Sequence, residues 1–348
     1  MGHKVMELLL IQSQEHDKLP LAELKAVMET ENINANINVL CSGLVKLENI
    51  DIDSFNDDYQ VLTERLGYTH EVNQIIKKTN LENLEKEIKS INWSEYLKET
   101  FVVRIKKFKS ELDSVKIERN VGGYILEETS GVKVKLKGSD SLVRLISYKD
   151  DIYICIQKYY LNKKHFEEIK PHKRPFFHPG GMSPKLARCM VNLSRIRKDE
   201  ILLDPFCGTG GILIEAGLVG AHVIGSDINW KMKNGSAINL EDAGVKDYET
   251  YKIDFHQLKL PKHAKAVVTD PPYGISTTTG GVNSEEVIGD FLDSIQKSIT
   301  DDALIVTASP HYVNINEIFK QKGFKLKEQY FIKMHRSLTR VISVIEKI

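Results

Sequence analysis

Apolar positions change their rhythm about halfway along the chain. In the first half they form short runs separated by polar or acidic loops. Residues 5–11 are a compact apolar run with strand character, and beyond Pro20 the positions Leu21, Leu24, Ala26, Val27 and Met28 recur at helical spacing. Apolar runs follow at 39–47 and 59–66, and Leu81, Leu84, Ile88 and Ile91 return to a helical period. Residues 101–105 read as a strand, 132–136 and 143–147 alternate like a half-exposed sheet, and 152–157 close this half with another apolar strand. The pattern predicts a small α+β region. It contains no repeat and no catalytic constellation, so by elimination it binds or scaffolds.

The second half is regular. Pro184 opens a helix with Ser183 as N-cap, and Leu186, Met190, Leu193 and Ile196 share one face of it. Strands are then predicted at 200–204, 221–227, 248–253, 264–270 and 302–308, with helices at 211–219, 229–242, 284–299 and 312–321. Strand-like stretches at 324–332 and 341–345 suggest an antiparallel edge hairpin. Such alternation implies an α/β fold, a doubly wound, mostly parallel sheet of seven strands. Between the halves, residues 158–179 carry Pro171, Pro175 and Pro179 and read as a semi-rigid linker.

Size fits this division, since 348 residues are too many for one typical domain. The net charge of zero conceals an asymmetry. Residues 1–60 hold four Lys and eleven Asp or Glu, whereas 158–188 hold eight Lys or Arg against Glu167 and Glu168. A basic stretch interleaved with Tyr159, Tyr160, Phe166, Phe176 and Phe177 suits nucleic-acid backbones and stacked bases, although a charged linker with packing aromatics is the ordinary alternative. Cys41, Cys155, Cys189 and Cys207 form no C-x-x-C pair, so neither a disulfide frame nor a zinc site is expected and no metal is called for. Apolar runs fall short of the ~18 residues of a membrane span, and no signal-peptide pattern is present. A cytoplasmic protein is expected, and a monomer is compatible with the sequence.

Two loops carry the candidate chemistry. The first, at 204–211, reads D-P-F-C-G-T-G-G after a short apolar strand. Gly208, Gly210 and Gly211 ahead of a helix bring backbone close to a ligand. A dinucleotide fingerprint would need a third glycine where Leu213 stands, so a pyrophosphate fits poorly. Asp204, Asp227 and Asp254 end three consecutive strands. Asp227 is placed to accept from ribose hydroxyls and Asp254 from an adenine amine. With no phosphate-binding cation in the loop, this set suits adenosine without phosphates, and the sulfonium of S-adenosyl-L-methionine would favour the carboxylate of Asp204. A helix cap is the ordinary alternative for any one of these acids, and a much poorer account of all three together.

The second loop, at 270–274, reads D-P-P-Y-G. Pro271 and Pro272 fix the backbone and remove two N–H donors, which leaves carbonyls facing the pocket. The exocyclic amine of a nucleobase is a poor nucleophile because its lone pair is shared with the ring. Hydrogen bonds to the Asp270 carboxylate and the Pro271 carbonyl would localise that pair, with Tyr273 stacked on the base. Tyr273 as an ordinary core aromatic is the plainer reading.

These residues resemble the class I S-adenosylmethionine-dependent amino-methyltransferases, and further the archaeal tRNA guanosine-10 N2-methyltransferase family. The likeness covers Arg174-Pro175, His178-Pro179, M-S-P-K-L-A-R at 182–188, Asn192-Leu193, the two loops and H-R-S-L-T-R at 335–340. Residues 143–157 are similar to the closing strands of a THUMP domain, an RNA-binding module, preceded by a ferredoxin-like subdomain. The resemblance implies a ferredoxin-like subdomain at 1–80, a THUMP domain at 81–157, the linker at 158–179 and the methyltransferase domain at 180–348. It implies one or two methyl transfers to the N2 amine of a tRNA guanosine. Cofactor contacts would come from Pro184, Asp204, Phe206, Gly208, Gly210, Asp227, Asp254 and Phe255, and catalysis from Asp270, Pro271, Pro272 and Tyr273. Arg104, Lys106, Lys107, Lys173, Arg174, His335, Arg336 and Arg340 would meet tRNA. The acidic character of 1–60 departs from a tRNA grip. Competing readings are an amino-methyltransferase acting on another RNA guanosine or on DNA, a protein-glutamine methyltransferase (which would carry N-P-P-Y), and a non-catalytic RNA-binding subunit.

Overall fold

The computed structural model describes residues 5–51, 60–257, 259–260, 262–272 and 284–348. The chain divides into two compact units. The first holds the described parts of Met1–Gln14, Ile33–Thr63 and Thr69–Leu161, and the second Glu15–Asn32, Glu64–Tyr68 and Asn162–Ile348.

The first unit is built on one eight-stranded sheet in the order β2-β3-β1-β4-β8-β7-β5-β6. Its strands are β1 (Val5–Gln12), β2 (Asn36–Cys41), β3 (Leu44–Asp51), β4 (Thr69–Asn80), β5 (Thr100–Phe108), β6 (Lys133–Val134), β7 (Ser141–Tyr148) and β8 (Asp151–Tyr160). The apolar run at 39–47 is two strands, because Gly43 adopts φ +79° and turns the chain into the β2–β3 hairpin. Strand β4 escapes the hydrophobic pattern because part of its buried side is polar: Thr69, Glu71 and Asn73 all lie in the interior. Glu71 is tolerated there because Arg144 of β7 reaches it with two hydrogen bonds, 2.9 Å from Nε and 2.8 Å from Nη2. Since β4 pairs with both β1 and β8, it makes the N-terminal strands continuous with the later ones. Helix Ser114–Glu128 also lies outside the pattern-based reading. Asp113 caps it, and Ile117, Val121 and Ile125 form its buried stripe. The predicted strand at 132–136 shrinks to Lys133–Val134, with Leu136 exposed.

The second unit carries the seven-stranded sheet β11-β10-β9-β12-β13-β15-β14, made of β9 (Ile201–Asp204), β10 (His222–Asp227), β11 (Tyr248–Lys252), β12 (Ala264–Thr269), β13 (Ile299–Pro310), β14 (Phe324–His335) and β15 (Leu338–Lys347). Pairs among β9–β13 are parallel, and β15 joins both β13 and β14 antiparallel, as the predicted edge hairpin requires. Apolar clusters cover both faces. Helices Pro184–Leu193 and Gly211–Leu218 contribute to one, and helices Ser284–Ile295 and Ile315–Gln321 to the other. Strand order reverses between β9 and β12, so the loops after them meet at the switch point where α/β sheets bind ligands.

Helix Leu19–Thr30 belongs to this second unit, not with the N-terminal strands. Leu19, Ala22 and Ala26 are buried in the same cluster as Leu186 and Met190. Glu23, fully buried, accepts from the backbone N–H groups of Gly67 (3.0 Å) and Tyr68 (2.8 Å) and from Asn192 Nδ2 (2.9 Å). The region read as linker is ordered as well. Helix Lys163–Glu168 and a turn at Pro171–Lys173 occupy much of it.

Candidate active site

Asp204 ends β9 and is 1 % exposed. Its Oδ1 accepts from the Thr269 hydroxyl at 2.7 Å and the Phe206 N–H at 3.2 Å. Burial, reinforced by the charges of Asp270 and Asp227, pushes its carboxyl up to about 7 against the two hydrogen bonds. A buried acid poised there gains most from a cationic ligand.

The glycine loop is held from below. Gly210 takes φ +80° as N-cap of helix Gly211–Leu218, and a Cβ on it would sit 3.1 Å from Ser236 Cβ. Asp227 at the end of β10 accepts from the N–H groups of Gly208 (3.1 Å) and Asn229 (2.8 Å), so its carboxylate is fixed at the loop. Burial nonetheless raises its pKa. Asp254 follows β11 and accepts from the backbone N–H of His256 at 3.0 Å, with the His256 ring at 2.6 Å. Burial works against these contacts, which together leave its carboxyl below the usual range.

A cleft of about 160 Å³ opens at this point, lined by residues of the glycine loop, Asp204, Phe206, Met232 and Asp270, and by the consecutive residues 178–182. His178-Pro179 and Met182 fall within the resemblance, but no cofactor contact was expected from this wall. Asn239 builds it. Its Oδ1 accepts from the Phe176 N–H and its Nδ2 donates to the carbonyls of Phe176 and Thr209, all at 2.9 Å. Phe176 packs so closely on helix Trp230–Asp242 that a Cβ at Gly235 would lie 2.0 Å from its ring. The signals available were the H-P-G-G run at 178–181 and the glycine inside a helix.

The predicted residues divide. Asp204, Phe206, Gly208 and Asp270 line the cleft, while Phe255 stands behind Phe206 with ring centroids 5.0 Å apart. Pro184 is buried as the first residue of its helix, and the neighbouring Met182 faces the cleft in its place. Pro271 is buried and Pro272 exposed. Tyr273 lies outside the described residues.

Among the basic residues, Lys106, Lys107, Lys173, His335 and Arg336 are exposed. Two others, Arg174 and Arg340, are buried, and Arg104 is only partly exposed. Arg104 is held by Glu118 (3.2 Å) and the Leu136 carbonyl. Arg174 is buried, donates from Nε to the Ile169 carbonyl at 2.9 Å, and lies against Gly211. Arg340 is buried with Nη2 3.2 Å from Oδ2 of Asp270. A carboxylate meets the guanidinium of Arg104 and of Arg340, whereas Arg174 bonds through Nε and its two Nη atoms are buried without a hydrogen-bond partner among the described residues. Lys107 also bonds within its own unit, to the Leu112 carbonyl at 2.9 Å.

The cleft fits an adenosine sulfonium. A buried acid and the aromatic wall at Phe206 answer a cation and a ring, while Asp227 and Asp254, which do not appear in the cleft's lining, stand at the ends of the neighbouring strands.

Comparison with known proteins agrees with this geometry. The family described as RMKL-like, methyltransferase domain matches residues 171–342, and the THUMP domain matches 78–157. A tRNA (guanine(10)-N2)-dimethyltransferase of Methanothermobacter thermautotrophicus is 43% identical over 99% of this chain and 100% of its own length. Its counterpart in Methanocaldococcus jannaschii is 34% identical over 96% of this chain and 98% of its own. The crystal structure of TrmN from Thermus thermophilus superposes with a TM-score of 0.59 at 19% identity, covering 99% of this chain and 100% of that one, which speaks to the fold.

Proposed function

The chain belongs to the tRNA (guanine(10)-N2)-dimethyltransferase family, and on that premise we propose that it transfers two methyl groups in succession to the exocyclic N2 amine of guanosine 10 in tRNA. The observation that carries this reading is the convergence of Asp204 and Asp270 on one cleft at the strand-order switch, with two prolines fixing the backbone after Asp270. S-adenosyl-L-methionine, when bound, supplies an electrophilic methyl group on a sulfonium. The chain's own residues prepare the nucleophile. The Asp270 carboxylate and the Pro271 carbonyl accept the amine N–H groups and return lone-pair density to nitrogen. The methylated amine, while still carrying its extra proton, is a far stronger acid than a carboxylic acid, so Asp270 is basic enough to take that proton. Asp227 holds the ribose side of the cofactor and Asp204 balances its cationic charge. The target base must first leave its stack, at a cost of roughly a few kcal/mol that binding supplies.

Contacts to tRNA are assigned to the exposed Lys106, Lys107, Lys173, His335 and Arg336, with the THUMP region as the natural RNA module. The test uses unmodified tRNA transcripts carrying guanosine or adenosine at position 10, labelled cofactor and nucleoside analysis. N2,N2-dimethylguanosine from the first and none from the second is expected. Equal incorporation into both would move the target elsewhere.

A further inference from the structure

Arg340 starts on β15, opposite Pro310 of β13 and Ile332 of β14. Asp270 follows β12, on the far side of β13. The guanidinium therefore crosses the end of one whole strand to put Nη2 3.2 Å from Oδ2 of Asp270, and its residue is only 8 % exposed. A buried arginine reaching two strands away to one carboxylate oxygen is an expensive arrangement to order and desolvate. The carboxylate it meets is the one assigned to the target amine.

We propose that Arg340 is a positioning residue for methyl transfer: by engaging Oδ2 it fixes the orientation of the Asp270 carboxylate and keeps it ionised for the amine. The inference rests on the assignment of Asp270 to the target amine. Guanine makes the need clear. Its amine and its N1–H both present donors on the same edge, so a carboxylate that is fixed and charged suits it. A protonated carboxyl would present a donor to a donor. Arg340 also offsets a local excess of negative charge, since Asp270 and Asp227 both act on buried Asp204. The charge of Asp270 acts on buried Asp204 as well, and Arg340 is the cation that meets the Asp270 carboxylate, 3.2 Å from its Oδ2.

The experiment compares the full-length wild type with Arg340→Met and Arg340→Lys, reading kcat, KM for tRNA, tRNA affinity against salt and the pH profile of kcat. With wild type active on tRNA, R340M is expected to lose on the order of 10²-fold in kcat with unchanged tRNA affinity and salt slope. The acidic limb of its profile should move to higher pH, and R340K should recover part of the rate. Combined with Asp270→Asn, R340M should add little further loss, because the carboxylate it serves is already gone. A fall in tRNA affinity with a shallower salt slope would make Arg340 an RNA contact and overturn the inference, as would an unmoved acidic limb or unchanged kcat in R340M. A wild type that methylates no tRNA would instead sink the functional reading itself.

Discussion

Asp204 shows how one side chain converts burial into ligand preference. Its carboxyl is displaced from the ordinary value near 3.8 up to about 7, chiefly by desolvation. The sign follows directly. The folded protein holds this proton where the unfolded chain has already released it, so the group costs stability increasingly from about pH 4 upward, and the full cost is present above about 7. A sulfonium nearby favours the ionised form, and binding it below pH 7 must expel the proton. Affinity for S-adenosyl-L-methionine should therefore rise from pH 5.5 to about 7 and then level. S-adenosylhomocysteine, whose sulfur is neutral, should show a flatter dependence. Calorimetry on wild type and Asp204→Asn checks this: the variant should bind more weakly and lose the slope, and an unaltered slope would place the responsible proton on another group.

Among the elements, helix Trp230–Asp242 and the segment it holds decide whether the cleft has a second wall. Replacing Gly235 by Ala sets a helix-propensity gain of about 1 kcal/mol against an overpacking cost of about 1–3 kcal/mol where the Phe176 ring lies. Either the ring stays and stability falls by up to about 2 kcal/mol, or it leaves and residues 178–182 lose their anchor. Both outcomes should weaken cofactor binding several-fold in titration, and unchanged binding would show that this wall is dispensable. Elements also differ in how plainly they show in the sequence. Parallel strands buried on both faces advertise themselves as apolar runs, and β9, β10, β12 and the loops after them were legible for that reason. Strand β4 was not, because the interior position of Glu71 depends on Arg144, some seventy residues later in the chain. The burial of Arg340 beside Asp270 was hidden for the same physical reason. A basic residue in an H-R-S-L-T-R run looks like surface, and only the fold brings it to Asp270. Charge in a sequence reports valence, whereas its partner is a tertiary fact.

For the whole molecule, zero net charge rules out a simple electrostatic grip on RNA and requires local basic surfaces. Within the first unit the residues offered are Lys106, exposed on β5, and its neighbour Lys107. Reversing both charges should weaken tRNA binding and reduce the salt slope by about 1 for each phosphate that is no longer neutralised. Filter binding across a salt series measures it, and a parallel shift with no change in slope would remove β5 from the interface. Methyl transfer by a saturating amount of that variant should continue, since the chemistry lies in the second unit. The central claim concerns that chemistry, and the most direct measurement is made on Asp270→Ala with intact cofactor and tRNA. The account predicts binding of both ligands at close to wild-type affinity and no detectable N2-methylguanosine or its dimethyl form. Near-normal turnover in that variant would contradict it.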